Sequence, residues 1–287
     1  MEFEVDHMHP VIDAHIHIQP FHMMKPDVQA TFWRQKDRAA FEAFAADPAK
    51  LLRQMDADGV ERVGLINYVS PDVMGFTSEV NAWMMSYASA EPSRLIPFGS
   101  VHPAFTDDPG GDTDRVIEMG ARALKVHPPH QLFRANAYQD TLPGLAEVYR
   151  RAEAAGIPVT IHTGTSVFPG ARSRLGDPMD VDDVAIDFPK LKILLAHGGR
   201  PLWMNAAFFV VRRHPNVLLE VSGIPPSKLL EYFPRLEEIA DKTVWGTDWP
   251  SPGIKSMRQN VDQFLQLPLS DDTKRKILHD NAQMIFR

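Results

Sequence analysis

The stretch Val11-Ile12-Asp13-Ala14-His15-Ile16-His17-Ile18 carries two histidines, two residues apart, inside an apolar run. On an extended strand residues i and i+2 face the same way, so the two imidazoles converge on one spot. Converging imidazoles suit a divalent metal, but a polar strand edge facing water would use the same residues, and the pair alone does not separate the two. Further candidates close other apolar runs: Lys125 and His127, His162, His197 and Asp248. Each one alone reads as a hydrogen-bonded structural group or a helix cap. Brought to one place, the imidazoles and the carboxylate form a nitrogen and oxygen donor set suited to zinc, with manganese, iron or cobalt as alternatives.

Positioning them is the work of strictly alternating elements. Strands are predicted at 11–18, 60–68, 95–101, 123–127, 157–162, 191–197, 217–222 and 243–248, from their β-branched and aliphatic content. Helical patterns separate them: one after Asp47-Pro48, then 78–90, 112–119, one capped by Asp140 or Thr141 with Pro143 in its first turn, 181–187, 202–213 and 227–240. Eight strands alternating with helices predict a single-domain (β/α)8 TIM barrel over residues 1–287. A doubly wound open sheet is the alternative. The barrel is favoured because the candidate groups fall at the carboxyl ends of many different strands, where barrel sites lie. Two segments are additional. Gln19 to Asp47, with seven large apolar side chains, is long enough for a lid, a binding loop, a dimer contact or a small extra helix. Asp271 to Phe286 reads as a closing amphipathic helix capped by Ser270.

Composition narrows the partners. The chain has 287 residues, 44% hydrophobic and 23% charged, the balance of an ordinary globular protein. Acidic residues outnumber basic ones, 37 to 30, with no basic stripe, so nucleic acid is excluded and a small-molecule partner expected. No cysteine is present, so a metal must be held by His, Asp, Glu or modified Lys. The start, Met1 to Met8, lacks the pattern of a signal peptide and no apolar run is long enough to cross a membrane, which makes a cytoplasmic protein the expectation.

With these residues in view the chain resembles the amidohydrolase superfamily, through Asp13-Ala14-His15-Ile16-His17, His162-Thr163-Gly164, Ala196-His197-Gly198-Gly199-Arg200-Pro201, Gly246-Thr247-Asp248-Trp249-Pro250 and Asp280-Asn281-Ala282. Within it the chain is most similar to the branch that contains the aminocarboxymuconate-semialdehyde decarboxylase family. The resemblance implies that His15, His17, His162 and Asp248 hold one divalent metal, most simply Zn2+, with Mn2+ or Fe2+ as alternatives, and that His197 and Asp248 are catalytic. It also raises a second arrangement: Ala123-Leu124-Lys125-Val126-His127-Pro128 resembles the position where binuclear members carry a lysine carbamate, and Lys125 and His197, with His162, would then serve a second metal. One metal is favoured over two, since an unmodified ammonium is a poor ligand and a buried lysine is explained without one.

The implied reaction is hydrolysis of an amide, lactone or ester by activated water; the alternative is non-oxidative decarboxylation of an aromatic or unsaturated acid by the same residues. Candidate substrate contacts are His127, His130, Arg172, Arg200 and Trp249, with Arg174, His102 and Trp203 as lesser ones. An arginine among them would pair a carboxylated substrate. His7, His9, His22, His214 and His279 read as surface or loop residues, and a homodimer is expected to use the aromatic segment from Phe21 to Phe44.

Overall fold

The computed structural model describes residues 10–34, 36–251 and 254–286. Its centre is an eight-stranded parallel sheet in sequential order: β1 Val11–Ile16, β2 Val60–Leu65, β3 Leu95–Gly99, β4 Ala123–Val126, β5 Val159–His162, β6 Ile193–Ala196, β7 Val217–Glu220 and β8 Thr243–Val244. Parallel neighbours in this order, joined by helical crossovers, make the predicted TIM barrel, and nearly all strand residues are buried because helices cover the outer face. β5 ends at His162 as predicted; the other strands end one to four residues earlier than predicted, because the polar end residues leave the ladder to face the mouth. The eighth differs most. Beyond Val244 its regular ladder stops, yet the chain stays beside β1 and closes the barrel through backbone bonds: Ala14 N–H to Trp245 O at 3.0 Å, Asp248 N–H to His15 O at 2.8 Å and His17 N–H to Trp249 O at 2.7 Å.

Register sets the level of the site. His162 on β5 pairs with Ala196 on β6, which pairs in turn with Glu220 on β7. His162, His197 and Glu220 therefore leave the sheet at the same height. Apolar side chains form two buried clusters; the larger fills the space between strands and helices, and the smaller joins Ile12, Ile96, Phe98 and Leu194 to Phe21, Met24, Val28 and Phe32 of the segment after β1.

That segment folds as helices Pro26–Phe32 and Arg38–Ala46 laid beside the mouth. Phe41 and Phe44 rest on the Trp249 ring, with ring centroids 5.1 and 5.5 Å away. Helix Pro48–Asp58 starts as predicted, with the Asp47 carboxylate accepting from Ala49 N–H at 3.0 Å, and ends at Gly59 in the left-handed region. Other boundaries differ. Helix Leu145–Ala155 starts at Gly144 with no side-chain cap, so neither Asp140 nor Thr141 caps it; a separate 3-10 turn, Ala137–Gln139, occupies the intervening chain. The stretch predicted as one helix after β7 is Pro226–Tyr232 followed by a 3-10 stretch, Leu236–Lys242. Helix Met257–Leu265, capped by Ser256, lies outside the predicted set. The closing helix begins at the predicted Ser270 cap but is broken by a π-helical turn, Lys276–Asp280. No helix among the described residues is long and apolar enough to cross a membrane.

Candidate metal centre

At the carboxyl end of the barrel His15 Nε2, His17 Nε2 and Asp248 Oδ1 meet. The two nitrogens are 3.3 Å apart, and the carboxylate oxygen lies 3.4 and 3.0 Å from them. His15, His197 and Asp248, all buried, offer donor atoms within 4.8 Å of one another. His17 and Asp248 thus join His15 as predicted, whereas the third imidazole in this tight group is His197. His162 stands next to it, with ring centroids 4.5 Å apart, and its buried Nε2 has no hydrogen-bond partner. Convergent imidazole nitrogens, an ionised carboxylate and an orphaned buried nitrogen together fit a divalent cation.

The tautomers can be read from partners. His15 Nδ1 is 2.6 Å from Glu220 Oε2 and His197 Nδ1 is 2.9 Å from the Ser222 carbonyl oxygen. A carbonyl only accepts, and so does Glu220 when ionised, in which state both Nδ1 atoms carry the proton and both Nε2 atoms present lone pairs to the mouth. Asp13 anchors the base of the site, accepting from Thr247 Oγ1–H at 2.6 Å and from Thr247 N–H at 2.9 Å, which ties β1 to the eighth strand. His197 and Asp248 adopt left-handed backbone angles, φ 66° and 67°, a costly conformation for non-glycine residues that concentrates at working sites. Gly223, itself at φ 64°, leaves room for Arg200 and Asp248: a Cβ there would lie 2.3 Å from the Arg200 guanidinium and 2.8 Å from Asp248 Oδ2.

Burial governs the charges. It holds His15, His127, His162 and His197 well below the ordinary imidazole range, reinforced by nearby cations and imidazoles, so these rings are neutral. Burial alone would raise Asp248, but hydrogen bonding from His17 and the neighbouring His15 and Arg200 hold its carboxyl far below the carboxylate range. Lys125, whose Nζ is buried without a hydrogen-bond partner, is pushed down by desolvation, and Glu220 is pushed up by the same cause.

A cavity of about 360 Å³ opens over these groups. It is lined by His15, His17, His162, His197 and Asp248, and also by Lys125, His127, His130 and Arg200. Arg200 points one guanidinium nitrogen at Asp248 Oδ2, 3.5 Å away. His127 lies between His130 and His162 in a stack with centroid spacings of 3.6 and 3.9 Å. His130 is held at both nitrogens, by the Tyr68 hydroxyl at 2.9 Å and Ser166 Oγ at 2.6 Å.

Other candidates fall elsewhere. Trp249 is buried against Phe41 and Phe44 and does not line the cavity; its carbonyl, not its ring, serves the site. Arg172 and Arg174 are exposed on the loop after β5, and neither they nor Trp203 line the cavity. His102 caps the 3-10 turn Pro103–Phe105 and faces a second, separate cavity. His22 is exposed as predicted, but His214 is buried, bonded to Asp182 at 2.7 Å, and His279 sits in the π-helical turn. His7 and His9 lie outside the described residues. The residues that sequence reasoning passed over are Glu220, Ser222 and Tyr68. Glu220 carried a readable signal, since it closes the apolar run Val217-Leu218-Leu219 as His162 and His197 close theirs.

Comparison with known proteins agrees with this architecture. No curated protein matches the chain. Among solved structures, an uncharacterised TIM-barrel protein from Bordetella bronchiseptica shares 24% identity over 96% of this chain and 98% of its own, with a TM-score of 0.76. 5-Carboxyvanillate decarboxylase from Novosphingobium aromaticivorans, complexed with manganese and 4-hydroxy-3-methoxy-5-nitrobenzoic acid, shares 15% over 97% and 96%, at 0.66. A probable 2-pyrone-4,6-dicarboxylic acid hydrolase from Acinetobacter baumannii, with citric acid bound, shares 15% over 96% and 98%, at 0.67. At such identities these likenesses speak for the fold alone. The model of the amidohydrolase family matches residues 12–287, nearly the whole sequence, and the chain belongs to that family.

Proposed function

We propose that this protein is a metal-dependent hydrolase of a small, carboxylated molecule, acting on an amide, lactone or ester carbon. The observation that carries the reading is the division of labour within Asp248: Oδ1 meets His15 and His17, while Oδ2 faces the cavity beside Arg200. His15, His17 and Asp248, with His162 and His197 alongside, are the groups to hold one divalent ion, Zn2+ by donor type and Mn2+ or Fe2+ as alternatives. When bound, such an ion supplies Lewis acidity to the scissile carbonyl and lowers the pKa of water. Asp248 Oδ2 accepts a proton from the attacking water as the new C–O bond forms. His197 Nε2 relays a proton to the leaving nitrogen or oxygen as the old bond breaks. The Arg200 guanidinium offers a carboxylate of the substrate a two-pronged contact, and Lys125 and the neutral His127 ring line the rest of the cavity.

A second reading, decarboxylation, is favoured by one feature: Arg200 beside the donor set can seat a carboxylate there, while His197 Nε2, after taking a proton from solvent, delivers it to the carbon whose bond to the departing carbon dioxide breaks. Metal analysis of the purified protein, followed by assays on lactones, hydroxybenzoates and muconic acids, decides between them. Ring opening without gas release supports hydrolysis, and carbon dioxide release supports the second reading. A protein with no stoichiometric metal and no activation by zinc, manganese or iron would overturn both.

A further inference from the structure

Strand β7 contributes no group to the donor set, yet its last residue, Glu220, and Ser222 just beyond it hold two of the imidazoles that matter. Glu220 and His15 are each 1% exposed, and Glu220 Oε2 lies 2.6 Å from His15 Nδ1. Its other oxygen, Oε1, accepts from Ser222 N–H at 2.6 Å. Ser222 in turn holds His197 Nδ1 through its carbonyl oxygen at 2.9 Å, with its hydroxyl 3.0 Å away. One carboxylate therefore fixes His15 directly and braces the backbone that fixes His197. The facing strand makes room for this arrangement: a Cβ on Gly246 would lie 2.6 Å from Glu220 Oε1, 2.9 Å from His15 Cβ and 3.0 Å from Ser222 Cβ.

We propose that Glu220 and the Ser222 backbone form a positioning clamp at the end of β7 that imposes the Nδ1–H tautomer on both His15 and His197, leaving both Nε2 atoms free for the metal and for proton transfer. The inference rests on the metal-centre reading for its purpose but not for its geometry. Two acceptor oxygens are needed, one for each N–H, and a carboxylate supplies both. In Glu220→Gln the amide supplies one oxygen, so it must turn its NH2 towards either His15 Nδ1 or Ser222 N–H. If the NH2 meets His15, the ring moves to the Nε2–H tautomer and its ligand lone pair is lost; if it meets Ser222, the brace on His197 fails. Outer partners of this kind tune metal affinity without touching the ion.

The test uses the full chain, metal-free, with histidine nitrogens labelled. Nitrogen NMR of the wild type is expected to show His15 and His197 as Nδ1–H tautomers; His15 in the Nε2–H form would overturn the clamp without any variant. In Glu220→Gln at least one of the two rings is expected to change tautomer, and zinc affinity, measured by competition with a chromophoric chelator, to fall about 10- to 100-fold. Ser222→Ala keeps the carbonyl that holds His197, so both tautomers and zinc affinity within about threefold of wild type are expected there. Unchanged tautomers and unchanged zinc affinity in Glu220→Gln would overturn the proposal, as would equal losses in Glu220→Gln and Ser222→Ala. A wild type that takes up no zinc sinks the metal-centre reading, while the tautomer spectra still judge the clamp.

Discussion

Asp248 and His197 sit at left-handed backbone angles that the surrounding contacts must hold in place, and each has one atom committed to structure and one turned to the cavity. Asp248→Asn keeps the shape but removes the charge and the proton acceptor. Turnover should fall by at least about 100-fold with the fold intact, read as kcat on the substrate found in the panel, alongside a circular dichroism spectrum like that of the wild type. His130 makes a different prediction, because it holds the site without offering a free nitrogen. Burial, with Lys125 and His17 nearby, pushes its pKa from 6.5 down to about 3. Between these values the unfolded chain binds a proton that the folded chain refuses, so this group's contribution to stability is fully present above pH 6.5 and is lost as pH falls. In His130→Gln that cost disappears. The stability advantage of the wild type should therefore shrink by about 1.4 kcal/mol for each pH unit between 6.5 and 5, measured by urea unfolding of the metal-free proteins. A gap independent of pH would show that His130 is already charged when folded.

At the level of the element, the least regular strand is the one that carries Asp248. Regular pairing in the eighth strand covers two residues, and its position depends on neighbours in the chain's last helical stretch. The π-helical turn Lys276–Asp280 leaves the Ile277 carbonyl to accept Trp245 N–H at 3.0 Å, and Asn281, buried behind it, donates from one amide to Ala240 O and Thr243 O, both at 2.7 Å. The Asp280-Asn281-Ala282 motif is thus a brace for the eighth strand, remote from the chemistry. Asn281→Ala leaves two buried carbonyls short of a donor and should cost about 2–3 kcal/mol in urea unfolding, while a properly refolded fraction retains its affinity for zinc. Strand order and the donor residues were legible in the sequence because apolar runs alternate with helical patterns along the chain and several of those runs end in His or Asp. The π turn and the Ser256-capped helix were not: the former exists to meet a partner 32 positions away, and the latter lies between Asp248 and the closing helix, where the alternation had already supplied its eight strands. Trp249 was misplaced for a related reason, since only the fold of the segment after β1 puts Phe41 and Phe44 on its ring.

For the whole molecule, the barrel's stability and the metal's binding are linked through the same atoms. The candidate donor atoms gather only when β1, β5, β6 and the eighth strand are in register, so the unfolded chain has no comparable site and an ion that binds the folded form stabilises it by mass action. At a free zinc concentration of about 100 times Kd this amounts to about 2.7 kcal/mol. For a domain of this size each kcal/mol is worth about 2–4 °C, so a rise of about 5–10 °C in Tm is the expected outcome, reversed by a chelator. The same burial prepares the donors: it keeps His15, His162 and His197 neutral, so binding near neutral pH need not first displace an ionising proton from these three rings. The zinc-induced rise should therefore persist largely undiminished from pH 8 to pH 6, where a site of solvent-exposed histidines would lose affinity as its rings charged. Differential scanning calorimetry across that range, with and without zinc, checks it. A rise that collapses between pH 7 and 6 would mean that the imidazoles titrate near their ordinary values and that the barrel mouth is far wetter than its packing implies.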